Sequence, residues 1–139
     1  MDQKDVIVGV TKGTPLEKQV GIIADAEVRG TKQYYALARA ARDQGLPEEI
    51  AVKLEEMADQ ESNHGGFYAL LNAESTVDVF AAMRKATKLE YNAGLVLQPV
   101  ADQLRAMGAE KAAQTVETFI AQEHHHGEML DELLCKYDK

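Results

Sequence analysis

The pattern Glu-x-x-His occurs twice in this chain, at Glu61–His64 and at Glu123–His126, and each copy follows a lone glutamate at a matched distance. Glu27 stands 18 residues before Gly45, and Glu90 stands 18 residues before Gly108. Glu61 then follows Gly45 by 16 residues, and Glu123 follows Gly108 by 15. If each glycine closes one helix and opens the return of a helical hairpin, the chain climbs and descends nearly equal distances at about 1.5 Å per residue. All six residues then lie at one level.

Local signals bound four helices. Thr14-Pro15-Leu16-Glu17 reads as the start of the first, with Thr14 as cap, Pro15 at the first helical position and Glu17 closing a capping box. That helix ends near Gly45; the second runs from about Pro47–Glu48 to Leu71–Asn72, and the third from Ser75-Thr76-Val77-Asp78 to Gly108. Pro99 cannot donate to the carbonyl of Leu95, which predicts a kink there. The fourth covers about Glu110 to Tyr137. Residues 1–13 form an N-terminal arm in which Val6–Val10 is either extended or a short strand. Residues 14–139 form the helical domain, with hairpins at about 14–72 and 75–137.

Each helix carries an apolar stripe in steps of four and three, the seam of a left-handed bundle. The stripes run Leu16, Val20, Ile23, Glu27, Gly30, Tyr34, Leu37, Ala41; Ile50, Leu54, Met57, Glu61, His64, Tyr68, Leu71; Val79, Met83, Ala86, Glu90, Ala93, Leu97, Val100, Leu104; and Ala112, Val116, Phe119, Glu123, His126, Leu130, Leu133. Six ionisable residues interrupt four otherwise apolar stripes. The predicted fold is therefore all-α, a four-helix bundle, and a Glu from each of two helices with Glu-x-x-His from each of the other two matches the ligand set of ferritin-like bundles.

Four carboxylates in an apolar core would repel one another and lose their hydration. Two divalent cations carry the compensating +4, and a Glu-x-x-His step aims both side chains at one ion. One such motif on an acidic helix is usually a solvated pair. The duplication, the seam positions and the matched glutamates favour a dinuclear site with Glu27, Glu61, His64, Glu90, Glu123 and His126 as ligands. Mixed carboxylate and imidazole donors suit two iron ions first, with manganese or a mixed pair as alternatives. His124 and His125 turn about 100° and 200° away from Glu123 and read as outer-face residues. Tyr34, two turns beyond Glu27 on its stripe, reads equally as core packing or as a hydrogen-bonding group behind the ligands.

At these residues the chain resembles the rubrerythrin family of ferritin-like proteins, over about residues 14–137. The matching features are Glu27 with Tyr34 seven residues on, Glu61-x-x-His64, Glu90 with Pro99 nine residues on, and Glu123-x-x-His126. The resemblance implies a peroxidase that reduces hydrogen peroxide to water at a di-iron site. It also implies that Glu61 and Glu123 bridge the irons, with Glu27 and His64 completing one and Glu90 and His126 the other. The family's additional glutamate, one turn after the third-helix ligand, is replaced here by Ala93. That leaves the symmetric four-Glu, two-His set of bacterioferritin-like oxidases. A ferroxidase or oxidase using dioxygen, and a non-catalytic metal-binding helical protein, are the alternative readings.

Composition narrows the partners. Fifteen Lys and Arg against 23 Asp and Glu leave a net charge of −8, which argues against nucleic acid. No long apolar run points to a membrane or a secretory leader, so a cytoplasmic location is expected. The single cysteine, Cys135, cannot supply the four thiolates of a rubredoxin site, and the resemblance then implies that electrons come from an external donor, a separate protein such as a rubredoxin or a small reductant. Finally, ferritin-like hairpins need a long crossover, and only about Asn72 to Ser75 separates the second and third helices. A domain-swapped homodimer, in which each chain contributes one hairpin to each bundle, satisfies that short link, and an ordinary up-down-up-down monomer, which needs no crossover, is the competing solution.

Overall fold

A computed structural model describes residues 7–139, and all of their regular structure is helical. The helices are α1 (Glu17–Asp43), α2 (Glu48–Leu71), α3 (Val79–Tyr91), α4 (Ala93–Ala106) and α5 (Glu110–Tyr137). They form two compact units that divide between Ser75 and Thr76. In the first unit α1 packs along α2. In the second, α3 and α4 both pack on α5. No helix among the described residues is long and apolar enough to cross a membrane.

The two units are built on one plan that extends beyond the ligands. Gly45 and Gly108 take φ of 69° and 83°, the left-handed conformation that glycine adopts without steric cost. Beyond each, an amide reaches back to the last helical turn: Leu46 N donates to the Ala41 carbonyl at 3.0 Å, and Ala109 N to the Leu104 carbonyl at 2.8 Å. An arginine clamps each turn. Arg42 holds Glu48 at 2.8 Å and Glu55 at 2.5 Å, while Arg105 holds Glu110 at 2.7 Å and Glu117 at 2.6 Å.

The packed interfaces are made of small residues. Ala24, Ala38, Ala41, Ala51 and Ala58 are buried with Val20 in the first unit, and Ala101 and Ala113 with Gly127 in the second. Small side chains let two helix backbones approach closely, and a two-helix layer buries only what lies between its axes. Much of the expected seam is therefore not core within a hairpin. Leu16, Leu37, Ile50 and Met57 in the first unit, and Val79, Val100, Phe119 and Leu133 in the second, are exposed.

Several local expectations change. Thr14 does not cap α1 through a capping box: its hydroxyl accepts from Leu16 N at 3.2 Å, and Glu17 turns instead to Lys12 at 2.8 Å. The cap of α3 is Asp78, which accepts from Ala81 N at 3.1 Å, so α3 opens at Val79, later than expected. The third predicted helix is divided at Asn92, ahead of Pro99, which sits inside α4. There Leu95 N turns back to the Asn92 carbonyl at 3.0 Å, a tightened turn that a short polar side chain tolerates well.

The described part of the N-terminal arm, residues 7–13, consists of turns and is tied into the first unit; Val6 lies outside the described residues. Gly9 N donates to the Leu70 carbonyl at 2.8 Å and Thr11 N to the Leu71 carbonyl at 3.0 Å. Asn72, only 2% exposed, accepts the Thr11 hydroxyl at 2.5 Å and donates to the Glu17 carbonyl at 2.8 Å. A residue read from sequence as the start of a linker is thus the knot joining the arm, α1 and α2.

Candidate metal centre

Each unit assembles one half of the predicted ligand set. Glu27 on α1 meets Glu61 and His64 on α2, and Glu90 at the end of α3 meets Glu123 and His126 on α5. Within each trio, one donor atom from each residue lies within 4.8 Å of the other two. Carboxylate and imidazole bonds of about 2.0–2.2 Å to a common ion would require only a modest contraction of such a group.

The electrostatics of both trios favour a cation. Glu27 Oε2 and Glu90 Oε2 are buried oxygens with no hydrogen-bond donor. His64 Nδ1 and His126 Nδ1 each stand 3.5 Å from one of these oxygens, without hydrogen-bond geometry. Glu61 lies above the usual carboxylate range because it shares a hydrogen bond with Glu27, with burial and the Glu27 charge adding to the effect. Glu90 is raised in the same way, first by its hydrogen bond with Glu123. Two adjacent carboxylates, one of them raised above its usual range by the other, with an orphaned lone pair beside them, form a donor set that a divalent ion fits.

The surroundings of the two trios differ. A Cβ on Gly30 would stand 3.1 Å from Glu61 Oε2, so the absence of a side chain makes the space beside that carboxylate. Ala93 is the residue equivalent to Gly30 when Glu27 is matched with Glu90. Both halves therefore place a small residue one turn after the lone glutamate. A Cβ on Gly65 would meet the Glu27 Cβ at an ordinary 3.5 Å, whereas one on Gly127 would stand 3.0 Å from three ring carbons of Tyr91. The Tyr91 hydroxyl donates to Asp131 Oδ2 at 2.7 Å, and this bond pushes the phenol up to about 12.

Tyr91 was not singled out from the sequence; its only signals were its place next to Glu90 and the glycine after His126. Tyr34 is half-buried and its hydroxyl makes no hydrogen bond among the described residues, which favours the packing reading. His124 lies on the outside as expected, with Nδ1 3.3 Å from Glu128 and its ring edge-on to Tyr91 at 4.8 Å. His125 and Cys135 are exposed.

The chain is 30% identical over 132 residues to the uncharacterized protein MJ0746 of the archaeon Methanocaldococcus jannaschii, an alignment that covers 95% of this chain and 93% of that relative. No family profile matches the chain, and no solved structure matches it.

Proposed function

The chain belongs to the family of this archaeal protein, whose name states no activity, and from the site alone we propose that it is a dinuclear metal oxidoreductase that reduces hydrogen peroxide. The observation that carries the proposal is the pair of duplicated trios, each with a buried carboxylate oxygen that lacks a donor. Glu27, Glu61 and His64 hold one cation, and Glu90, Glu123 and His126 the other. When bound, a ferrous pair supplies the two electrons of H2O2 + 2 e⁻ + 2 H⁺ → 2 H2O, one from each ion.

The chain's own contribution is to hold the carboxylates against their mutual repulsion and to leave room. The clamps at Arg42 and Arg105 fix each hairpin turn, so the helices rise in register and the trio meets at one level. Gly30 and Ala93 keep side-chain bulk away from the carboxylates. The neighbouring carboxylates that raise Glu61 and Glu90 resist loss of their protons, and a bound cation reverses that preference.

The ferritin-like bundle follows from joining a first hairpin to a second, so that the exposed seams cover each other and the six ligands share one dry layer. We place the two hairpins of one bundle on different chains. The connection from Asn72 to Asp78 reaches at most about 25 Å, while inverting the second hairpin beside the first needs about 30 Å of travel. A mixture of Glu27→Ala and Glu90→Ala chains, unfolded and refolded together, then recovers one intact centre per heterodimer. Failure to recover any intact centre contradicts the exchange.

The small residues at both Gly30 and Ala93 favour a second reading, a symmetric ferroxidase in which dioxygen is the oxidant. Stopped-flow oxidation of the ferrous-loaded protein separates the two. Peroxide reacting faster than dioxygen at equal concentration supports the peroxidase, and the reverse order replaces it.

A further inference from the structure

The second unit carries a basic groove that the duplicated plan of the first does not repeat. It is an open cleft of about 690 Å³ between α3 and α5, lined by Arg84, Lys85, Thr87, Lys88, Tyr91, Asp131 and Leu134. Matching Glu27 with Glu90 sets Gly21, Ile22, Asp25 and Val28 of α1 against Arg84, Lys85, Lys88 and Tyr91 of α3. The halves agree in their ligands, turn glycines and arginine clamps. They disagree at every one of these four positions, and in the same sense: cations and an aromatic ring stand on α3 alone.

The groove lies on the outside of the unit. At 100° per residue, Lys88 stands about 160° from Glu90 around α3 and Lys85 about 140° the other way, so both point away from the seam. Arg84, Lys85 and Lys88 are exposed, and neither lysine makes an ion pair among the described residues. Of the carboxylates around the groove, Asp138 pairs with Arg84, Asp131 is held by Tyr91, and Glu128 stands near the same ring. On a chain of net charge −8, the three cations of this groove offer a local attraction to an acidic surface. The floor of the groove is also close to the ligands. Tyr91 follows Glu90 directly, and its ring lies against Gly127, the residue after His126.

We propose that this groove is the docking site of an acidic electron-transfer protein that delivers electrons to the metal centre beside Tyr91. The inference rests on the oxidoreductase reading. Each peroxide consumes two electrons, so a one-electron donor docks twice per turnover. Three cations around one cleft orient it over the face of the second unit where the Tyr91 ring stands next to Glu90 and against the residue after His126.

The test uses the full-length, metal-free chain, labelled with ¹⁵N and titrated with zinc-substituted rubredoxin as an acidic, redox-inert probe. Shifts are expected to cluster on residues 84–91 and 131–134. The Lys85→Glu/Lys88→Glu variant should bind about tenfold more weakly at low ionic strength, an effect that collapses as salt screens it. The control Lys18→Glu/Lys32→Glu makes the same charge change on α1 and should stay within about twofold of the parent. Equal weakening in both variants, shifts scattered over the surface, or saturation of the groove by inorganic phosphate without any rubredoxin binding would each overturn the docking site. Because no metal is present, these outcomes are independent of whether the centre reduces peroxide.

Discussion

The two hairpins hold the same three ligand types at the same spacing, yet they brace them differently. In the first, Glu27 is backed by Gly65 at an ordinary contact distance, and the helix face outside it carries Ile22, Asp25 and Val28. In the second, Tyr91 is wedged against Gly127 and tied to Asp131, under a row of cations. On the proposed reading, what the halves share serves a pair of cations, what they do not share serves access from outside, and the repeat separates metal holding from partner recognition within one chain.

The largest expected effect comes from enlarging the shared core. Ala38 and Ala101 occupy matched positions at 1% and 0% exposure, so Ala38→Leu and Ala101→Leu should each cost about 1–3 kcal/mol by forcing the helices apart. Urea unfolding should give similar losses for the two. A large loss for one and none for the other would break the equivalence of the hairpins.

The next effect should be one-sided. Gly127→Ala places a methyl 3.0 Å from the Tyr91 ring, while Gly65→Ala meets only the Glu27 Cβ at 3.5 Å. Gly127→Ala should therefore be the more destabilising and should shift the fluorescence of Tyr91, identified by comparison with Tyr91→Phe. Equal effects would mean that the tyrosine wedge does not distinguish the halves.

A smaller effect depends on pH. Glu61 and Glu90 have folded-state pKa values raised above their unfolded ones, so each favours the fold when protonated, below the unfolded value near 4.5. That favour is lost as pH rises through the folded value. Metal-free Glu61→Gln and Glu90→Gln should accordingly be more stable than the parent at pH 7, and the difference should shrink on acidification. Parallel thermal melts of parent and variants from pH 7 to pH 4 check this, and a gap that widens on acidification would contradict the shared-proton description.

Much of this was legible in the sequence because helical periodicity and the repeat are local. The six residues of the two trios, the closing glycines and the bounds of α2 and α5 follow from spacing alone. The core was not legible in the same way. A seam of large residues reads as interior, but within a hairpin the interior belongs to Ala38, Ala51, Ala101 and Ala113, because close helix approach selects for small side chains. Asn72 gave no sign of burial, since its partners, Thr11 and the Glu17 carbonyl, are 61 and 55 residues away. The Tyr91–Asp131 bond spans 40 residues and was hidden for the same reason.

The central claim is that the two trios hold two cations per chain, and anaerobic titration of the metal-free protein with ferrous iron tests it most directly. Two equivalents per chain should bind in the parent, and none should be retained after desalting in the Glu61→Ala/Glu123→Ala double variant. Parent protein that retains no iron, or a double variant that still retains two, would contradict the account.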